Sequence, residues 1–289
     1  MAATQMYVLA MVIFGTLAPF VRSIGVSSGE LALYRAVMGA GLIGIFLLTK
    51  RKNPFSGGLK REILLLLLSG AAMGVNWILL FEAYRYTAVS TATLCYYFAP
   101  VIVTALSPVL FREKLTRKQL LCFVMATLGL VLITGLESSA GSANLTGILF
   151  GLGAAVFYAA VILLNKYIRS TAGIQRTFLQ FLAAIVTLIP YVAATGGVTL
   201  SRLEGIGWLC LLAVGALHTG IAYCLYFSSL KALPGQRAAI LSYIDPMVAV
   251  LISVTVLREP MTWQQALGGG LILAFTLWNA LPEREKTSS

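Results

Sequence analysis

The stretch YFAPVIVTALSPVLFREKLTRKQ (97–119) returns as YIDPMVAVLISVTVLREPMTWQQ (243–265), displaced by 146 positions. At that single offset Tyr97 falls on Tyr243, Pro100 on Pro246, Ser107 on Ser253, Arg112 on Arg258, Glu113 on Glu259, Thr116 on Thr262 and Gln119 on Gln265. Without a gap, the match extends over residues 69–121 and 215–267. The repeated block is mostly apolar, in a chain that is 59% hydrophobic and 11% charged. Internal duplication in a membrane-type sequence marks transporters whose halves build one site between them.

A mean hydropathy of +0.89 over 289 residues lies far outside soluble usage. Nearly charge-free stretches of about 20 residues have the length that crosses a hydrocarbon core of about 30 Å. The expected fold is an all-α integral membrane bundle, because each helix satisfies its own backbone in lipid. The alternating segments of a β-barrel are not seen. Ten spans are expected, at roughly 5–23, 29–49, 62–84, 90–111, 117–135, 147–167, 175–194, 205–229, 236–257 and 263–281. The first has no basic leader or small-residue cleavage site and reads as a retained helix rather than a signal peptide. The repeat divides the chain into five-helix units at 1–140 and 141–289. Short connections leave no room for a soluble catalytic module.

The net charge of +11 invites a nucleic-acid reading, but its placement argues otherwise. With a cytoplasmic N-terminus, the outer loops hold only Arg22, Arg85, Arg202 and Arg258, and Arg35 lies within a helix. The remaining sixteen of the 21 basic residues fall on the inner side, as the positive-inside rule requires. Both termini are then cytoplasmic, and no nucleic-acid partner is expected. Five helices per half is odd, so the second half enters the bilayer inverted. Accordingly Lys114, Arg117 and Lys118 on the inner side become Pro260, Trp263 and Gln264 in the outer copy. Inverted repeats supply two related shapes whose exchange opens a central cavity to either side.

The first half carries AYRYTA (83–88), Pro100 and REKLTxxQ (112–119); the second carries SLKALP (229–234), Asp245-Pro246 and REPMTxxQ (258–265). This doubled pattern resembles the EamA-type family of the drug/metabolite transporter superfamily. That resemblance implies a ten-helix carrier in a bacterial inner membrane, exporting small metabolites through a central cavity. An aromatic-Gly pair usual in the first helix of each half is Phe14-Gly15 here, but Phe157-Tyr158 in the second half.

Asp245 lies mid-span beside Pro246, where its repeat partner is Ala99. A carboxylate at that depth is costly and should face the bundle interior or a wet cavity. It reads as a substrate-amine or proton site, or as a structural pair beside a helix break. His218, the only histidine, reads as a proton relay, a ligand contact or a polar tie between helices. Trp77 matches Tyr223 at the same offset as Tyr97 and Tyr243. These four aromatics line two walls of one cavity or simply pack, and Asn76 is a candidate polar contact beside them. Pro100 and Pro246 read as hinges or tolerated kinks, and Glu113 and Glu259 as capping or gate-forming groups. Glu82 reads as a local pair with Arg85 on one helix face or as a transport group. Arg35 either anchors a carboxylate ligand or snorkels to the interface.

Cys95, Cys122, Cys210 and Cys224 lie in apolar segments without paired spacing and read as small hydrophobes. No metal, cofactor or catalytic residue is expected, and no phosphate-binding loop of the ATPase type occurs. The leading function is secondary export of a small metabolite, an amino acid or similar amphipathic compound, with protons a candidate coupling ion. The alternatives are a facilitative channel and an intramembrane enzyme acting on lipid. Partners are thus a small-molecule substrate and the bilayer; the oligomeric state is not readable from sequence.

Overall fold

Long runs of Leu, Ile, Val and Ala leave each segment to satisfy its own backbone hydrogen bonds, and every described element is helical. The computed structural model describes residues 2–51, 59–111, 115–134, 142–169, 171, 173–230 and 232–281. In chain order the α-helices are α1 (Ala3–Gly15), α2 (Leu17–Arg22), α3 (Ser28–Thr49), α4 (Leu59–Tyr86), α5 (Val89–Tyr96), α6 (Ala99–Phe111) and α7 (Arg117–Thr134). They continue with α8 (Ser142–Tyr167), α9 (Gly173–Ala194), α10 (Gly205–Leu212), α11 (Ala222–Leu230), α12 (Gly235–Ser242), α13 (Ile244–Thr255) and α14 (Trp263–Ala280). A π-helical stretch, Ala213–Ile221, joins α10 to α11. No strand occurs among the described residues.

Among the described residues, seven helical stretches are long and apolar enough to cross a membrane: Ala3–Arg22, Ser28–Thr49, Glu62–Tyr86, Val89–Leu110, Asn144–Tyr167, Gly173–Ala194 and Gly205–Leu230. Ile240–Thr255 is a shorter apolar helix. Their outward faces are oily: Val109 is 78% exposed and Leu48 71%. In water such a belt would be a liability; against acyl chains it costs nothing.

Three apolar stretches expected to be continuous are broken. α1 ends at Thr16, α5 gives way to α6 at Tyr97 and Phe98, and α12 gives way to α13 at Tyr243. Pro100 and Pro246 therefore stand in the first turn of α6 and α13, where a missing N–H costs little, and not in mid-helix. Where a hinge or kink is expected at each proline, the chain instead breaks two to three residues before it.

The repeated T-x-x-Q signature is a pair of capping boxes. Thr116 N–H donates to Gln119 Oε1 at 2.8 Å and Gln119 N–H donates to Thr116 Oγ1 at 3.2 Å. Thr262 and Gln265 repeat both bonds at 2.8 and 3.2 Å. Each box satisfies two orphan N–H groups, so the motif starts α7 and α14. Those two helices pack together so closely that a Cβ on Gly129 would lie 2.5 Å from the Gly268 carbonyl.

The main core lies among α3, α4, α9 and the π stretch, around Leu31, Ile43, Phe81 and Phe181. α1 packs on α11 and α13, and α5 on α8 and α13. First-half and second-half helices thus interleave and enclose a space between them.

Candidate functional site

That space is a cavity of about 380 Å³, within the range of about 300–1,000 Å³ usual for small-molecule sites. Its wall is largely aromatic: Phe14 from α1, Trp77 and Tyr84 from α4, Tyr96 and Tyr97 at the α5–α6 break, Tyr158 from α8, and Tyr223, Tyr226 and Phe227 from α11. Arg35 from α3 and Asp245 from α13 are its charged lining residues.

Arg35 is buried, at 4% exposure. Its Nε donates to Thr219 Oγ1 at 3.0 Å, and the guanidinium carbon lies 4.5 Å above the Trp77 ring. The Thr219 hydroxyl in turn donates to the Val214 carbonyl at 2.8 Å. Asp245 Oδ2 accepts a 2.6 Å bond from the Tyr97 hydroxyl. Neither charge meets an opposite one within ion-pair distance: the pairs among the described residues are Arg22–Glu259 and Glu82–Arg85. A buried guanidinium held by a neutral hydroxyl and an indole face has its place fixed without an ion pair. Asp245 likewise has no ion pair, and the two opposite charges act on each other only across the cavity.

Tyr97 and Tyr243 face each other with ring centroids 6.5 Å apart. Trp77, Tyr97, Tyr223 and Asp245 line the cavity; Tyr243 stands behind Tyr97 at the α12–α13 break. Asn76 points elsewhere, its Nδ2 donating to the Ala154 carbonyl at 2.7 Å, and so ties α4 to α8. His218 is fully buried outside the cavity wall, between Thr16 Oγ1 at 3.0 Å and the Ala213 carbonyl at 3.1 Å. Glu82 pairs with Arg85 at 3.8 Å on its own helix. Glu113 lies outside the described residues.

A cluster of bonds around Glu259 lies at one end of α4 and α5. Arg258 adopts φ +53, which reverses the chain after α13 and lets the Glu259 N–H reach the Ser253 carbonyl at 3.0 Å. The Glu259 carboxylate pairs with Arg22 and accepts from the Ser253 hydroxyl and, at 2.9 Å, from the Val89 N–H. Val89 opens α5, whose N-cap Ala88 has no side chain able to cap it. Ser253 Oγ takes the next N–H, of Ser90, at 3.1 Å. Arg22 meanwhile donates to the carbonyls of Tyr84 and Thr87, each at 2.7 Å, at the end of α4. One carboxylate and one guanidinium thus terminate two helices of the first half and tie them to the second.

The cavity extends away from that end. Asn144, at the start of α8, bonds Thr87 beside the Glu259 cluster. Asn165 lies 21 residues further along α8, roughly 30 Å at 1.5 Å per residue, and lines the cavity with Thr177 and Gln180. Gln180 Nε2 holds Ser69 Oγ at 2.5 Å and Asn165 Oδ1 at 2.8 Å.

Sequence reasoning missed Arg22, Tyr96, Tyr226 and Gln180. Tyr158 was visible only as an aromatic in place of a glycine; it stacks on Tyr96 at 5.0 Å with planes 19° apart. Phe14-Gly15 keeps the expected pair, and a Cβ on Gly15 would sit 2.6 Å from the Asp245 carbonyl oxygen. No cluster of His, Cys, Asp and Glu suited to a metal ion occurs among the described residues.

Comparison with known proteins agrees with this architecture. The chain is 31% identical over 269 residues to a Bacillus subtilis protein described as the uncharacterized transporter YxxF, covering 92% of this chain and 86% of that one. An Archaeoglobus fulgidus protein, also described as an uncharacterized transporter, is 30% identical over 271 residues, 93% of each chain. Protein PecM of Dickeya dadantii is 27% identical over 82% of this chain and 78% of its own. A protein known from a crystal structure shares the fold, with a TM-score of 0.65 at 18% identity over 96% of this chain and 97% of the other. The profile of the EamA-like transporter family matches residues 2–135 and 145–281. With this family match, apolar helices suited to crossing a membrane and a central cavity, the chain is a multi-pass membrane transporter, not an enzyme, of the EamA-like family.

Proposed function

We propose that this transporter exports small amphipathic metabolites, amino acids foremost, across a bacterial inner membrane by alternating access. The observation that carries the substrate class is the pair of opposite charges, Arg35 and Asp245, that line one aromatic-rich cavity without forming an ion pair. A zwitterion offers a carboxylate to the guanidinium and an ammonium to the carboxylate. Its side chain meets Trp77, Tyr96, Tyr97, Tyr158 and Tyr223. A ligand that supplies both counter-charges removes the desolvation cost both residues carry when the cavity is empty. An anion or a cation alone would relieve only one.

In this reading the chain forms ten spans in two inverted five-helix repeats, 1–140 and 141–289, with both termini cytoplasmic. The 146-residue offset, the matched capping boxes and the matched breaks before Pro100 and Pro246 support it. The broken α5–α6 and α12–α13 segments meet at mid-depth through Tyr97 and Tyr243, as discontinuous helices do around carrier substrate sites. The Glu259 cluster is then the closed outer gate, and the cavity reaches the cytoplasmic side near Asn165. Such a state is ready to load a substrate for export. Glu113, the copy of Glu259, takes the corresponding gating role at the inner face.

The deciding experiment is counterflow in proteoliposomes against a panel of amino acids, sugars, nucleosides and cationic drugs. Saturable exchange of zwitterions is expected. Exchange confined to compounds with no carboxylate rejects the substrate class, and unsaturable ion conductance rejects alternating access.

A further inference from the structure

His218 has no part in the cavity, yet its two hydrogen bonds can be made with the imidazole neutral or protonated. We propose that His218 is a proton-binding site whose occupancy responds to charge at Arg35; its link to the transport cycle rests on the carrier reading above.

The argument begins with hydrogen positions. The Ala213 carbonyl can only accept, so the 3.1 Å contact fixes a hydrogen on Nδ1. Nε2 then faces the Thr16 hydroxyl at 3.0 Å, and that same hydroxyl lies 2.8 Å from the Ile13 carbonyl. With the imidazole neutral, Thr16 donates to Nε2. With the imidazole protonated, Nε2–H donates to Thr16 Oγ1 and the hydroxyl hydrogen turns to Ile13. The Ile13 carbonyl also receives the Thr16 backbone N–H at 3.2 Å, so it has a donor in either state. Both protonation states therefore leave every polar atom of the cluster bonded, and they differ by the rotation of one hydroxyl. In a dry interior an unsatisfied polar atom costs about 1–3 kcal/mol, so a site that avoids one in both states can gain and lose a proton without rearranging its helices. Thr16 stands at the break between α1 and α2, and the π-helical stretch presents His218 to it.

The surroundings determine what the proton senses. Arg35 of α3 is the charged group that acts on His218 electrostatically. From α2 the Phe20 ring covers the imidazole at 4.9 Å, and the α1–α2 break contributes Thr16. No titratable side chain of α10 or α11 bonds, stacks on or acts electrostatically on it. Thr219, the next residue, is the one that holds Arg35 Nε. A proton on His218 and a free Arg35 thus oppose each other, whereas a carboxylate bound to Arg35 favours the proton. Linkage makes the effect reciprocal.

As the only histidine, His218 gives a single imidazole signal in ¹³C-histidine-labelled protein once any affinity tag is removed. The test follows that signal against pH in purified, substrate-free protein, with His218→Gln to assign it. In wild type a reversible titration complete above about pH 4.5 is expected. Arg35→Gln should move the midpoint to higher pH by about one unit. Thr16→Val should move it to lower pH, and Thr16→Ser, which keeps the hydroxyl, should restore it. A signal that stays neutral down to about pH 4.5 in folded wild-type protein overturns the proposal, as does a midpoint identical in wild type and Arg35→Gln. Because no substrate is present, a static His218 leaves the carrier reading intact. Failed counterflow, equally, leaves this titration intact.

Discussion

The Tyr97 hydroxyl donates to Asp245 Oδ2 at 2.6 Å, joining two broken helices that lie 148 residues apart in sequence. The bond holds the carboxylate in place at the cavity wall. An incoming ammonium would meet a placed, partly satisfied acceptor. Asp245→Asn removes the charge and should lower counterflow by about 100-fold, in line with about 3 kcal/mol for a charge-assisted bond. Tyr97→Phe keeps the carboxylate and should cost no more than about tenfold, mainly in KM. Equal losses in the two variants would show that the hydroxyl, not the charge, is what matters.

Arg35→Lys retains the charge but loses the planar stack over Trp77 and the Nε bond to Thr219. A desolvated cation–π contact is worth up to about 2 kcal/mol, so this change should reduce apparent affinity roughly tenfold or more. Trp77→Phe should be milder. Concentration dependence of exchange by the two variants checks the order.

Glu259→Gln weakens three contacts at once: the pair with Arg22, the bond from Ser253 and the cap on Val89. A loss of about 1–3 kcal/mol of closure at that end is expected. A cysteine at Ser90, in a background without the native four, should then label faster with an impermeant maleimide added from outside. Unchanged labelling would show that the end is held by packing alone.

A Cβ on Gly15 would lie 2.6 Å from both the Asp245 carbonyl oxygen and Val248 Cβ. Gly15→Ala should therefore push α1 off α13 and impair exchange even if the protein remains folded. Normal exchange with normal thermal stability in detergent would show that the two helices separate at no cost.

The all-helical membrane fold was legible in the sequence, because apolar length is a local signal. The T-x-x-Q motif states its own structure, two capping boxes. Of the matched aromatics, Trp77, Tyr223 and Tyr97 stand in the cavity wall, whereas Tyr243 packs behind Tyr97. What the sequence hid depends on distant partners or on small departures from helix geometry. Nothing near Arg22 announces Glu259, 237 residues away. Asn76 looked like a cavity polar group because residue type cannot show which neighbouring carbonyl a side chain reaches. The breaks at Thr16, Tyr97 and Tyr243, and the π-helical turn at 213–221, interrupt strings that stay uniformly apolar.

α5 is only eight residues long, too short to persist by its own propensity. The N–H groups of Val89 and Ser90 are completed by Glu259 and Ser253, which belong to the other half of the chain. Packing against α8 and α13 keeps α5 helical, so the other half caps this helix and does not fold it. In the proposed cycle, parting the halves there strips both acceptors at once and leaves two N–H groups bare, at about 1–3 kcal/mol each. The cap of one half's helix is then also a latch on the other half.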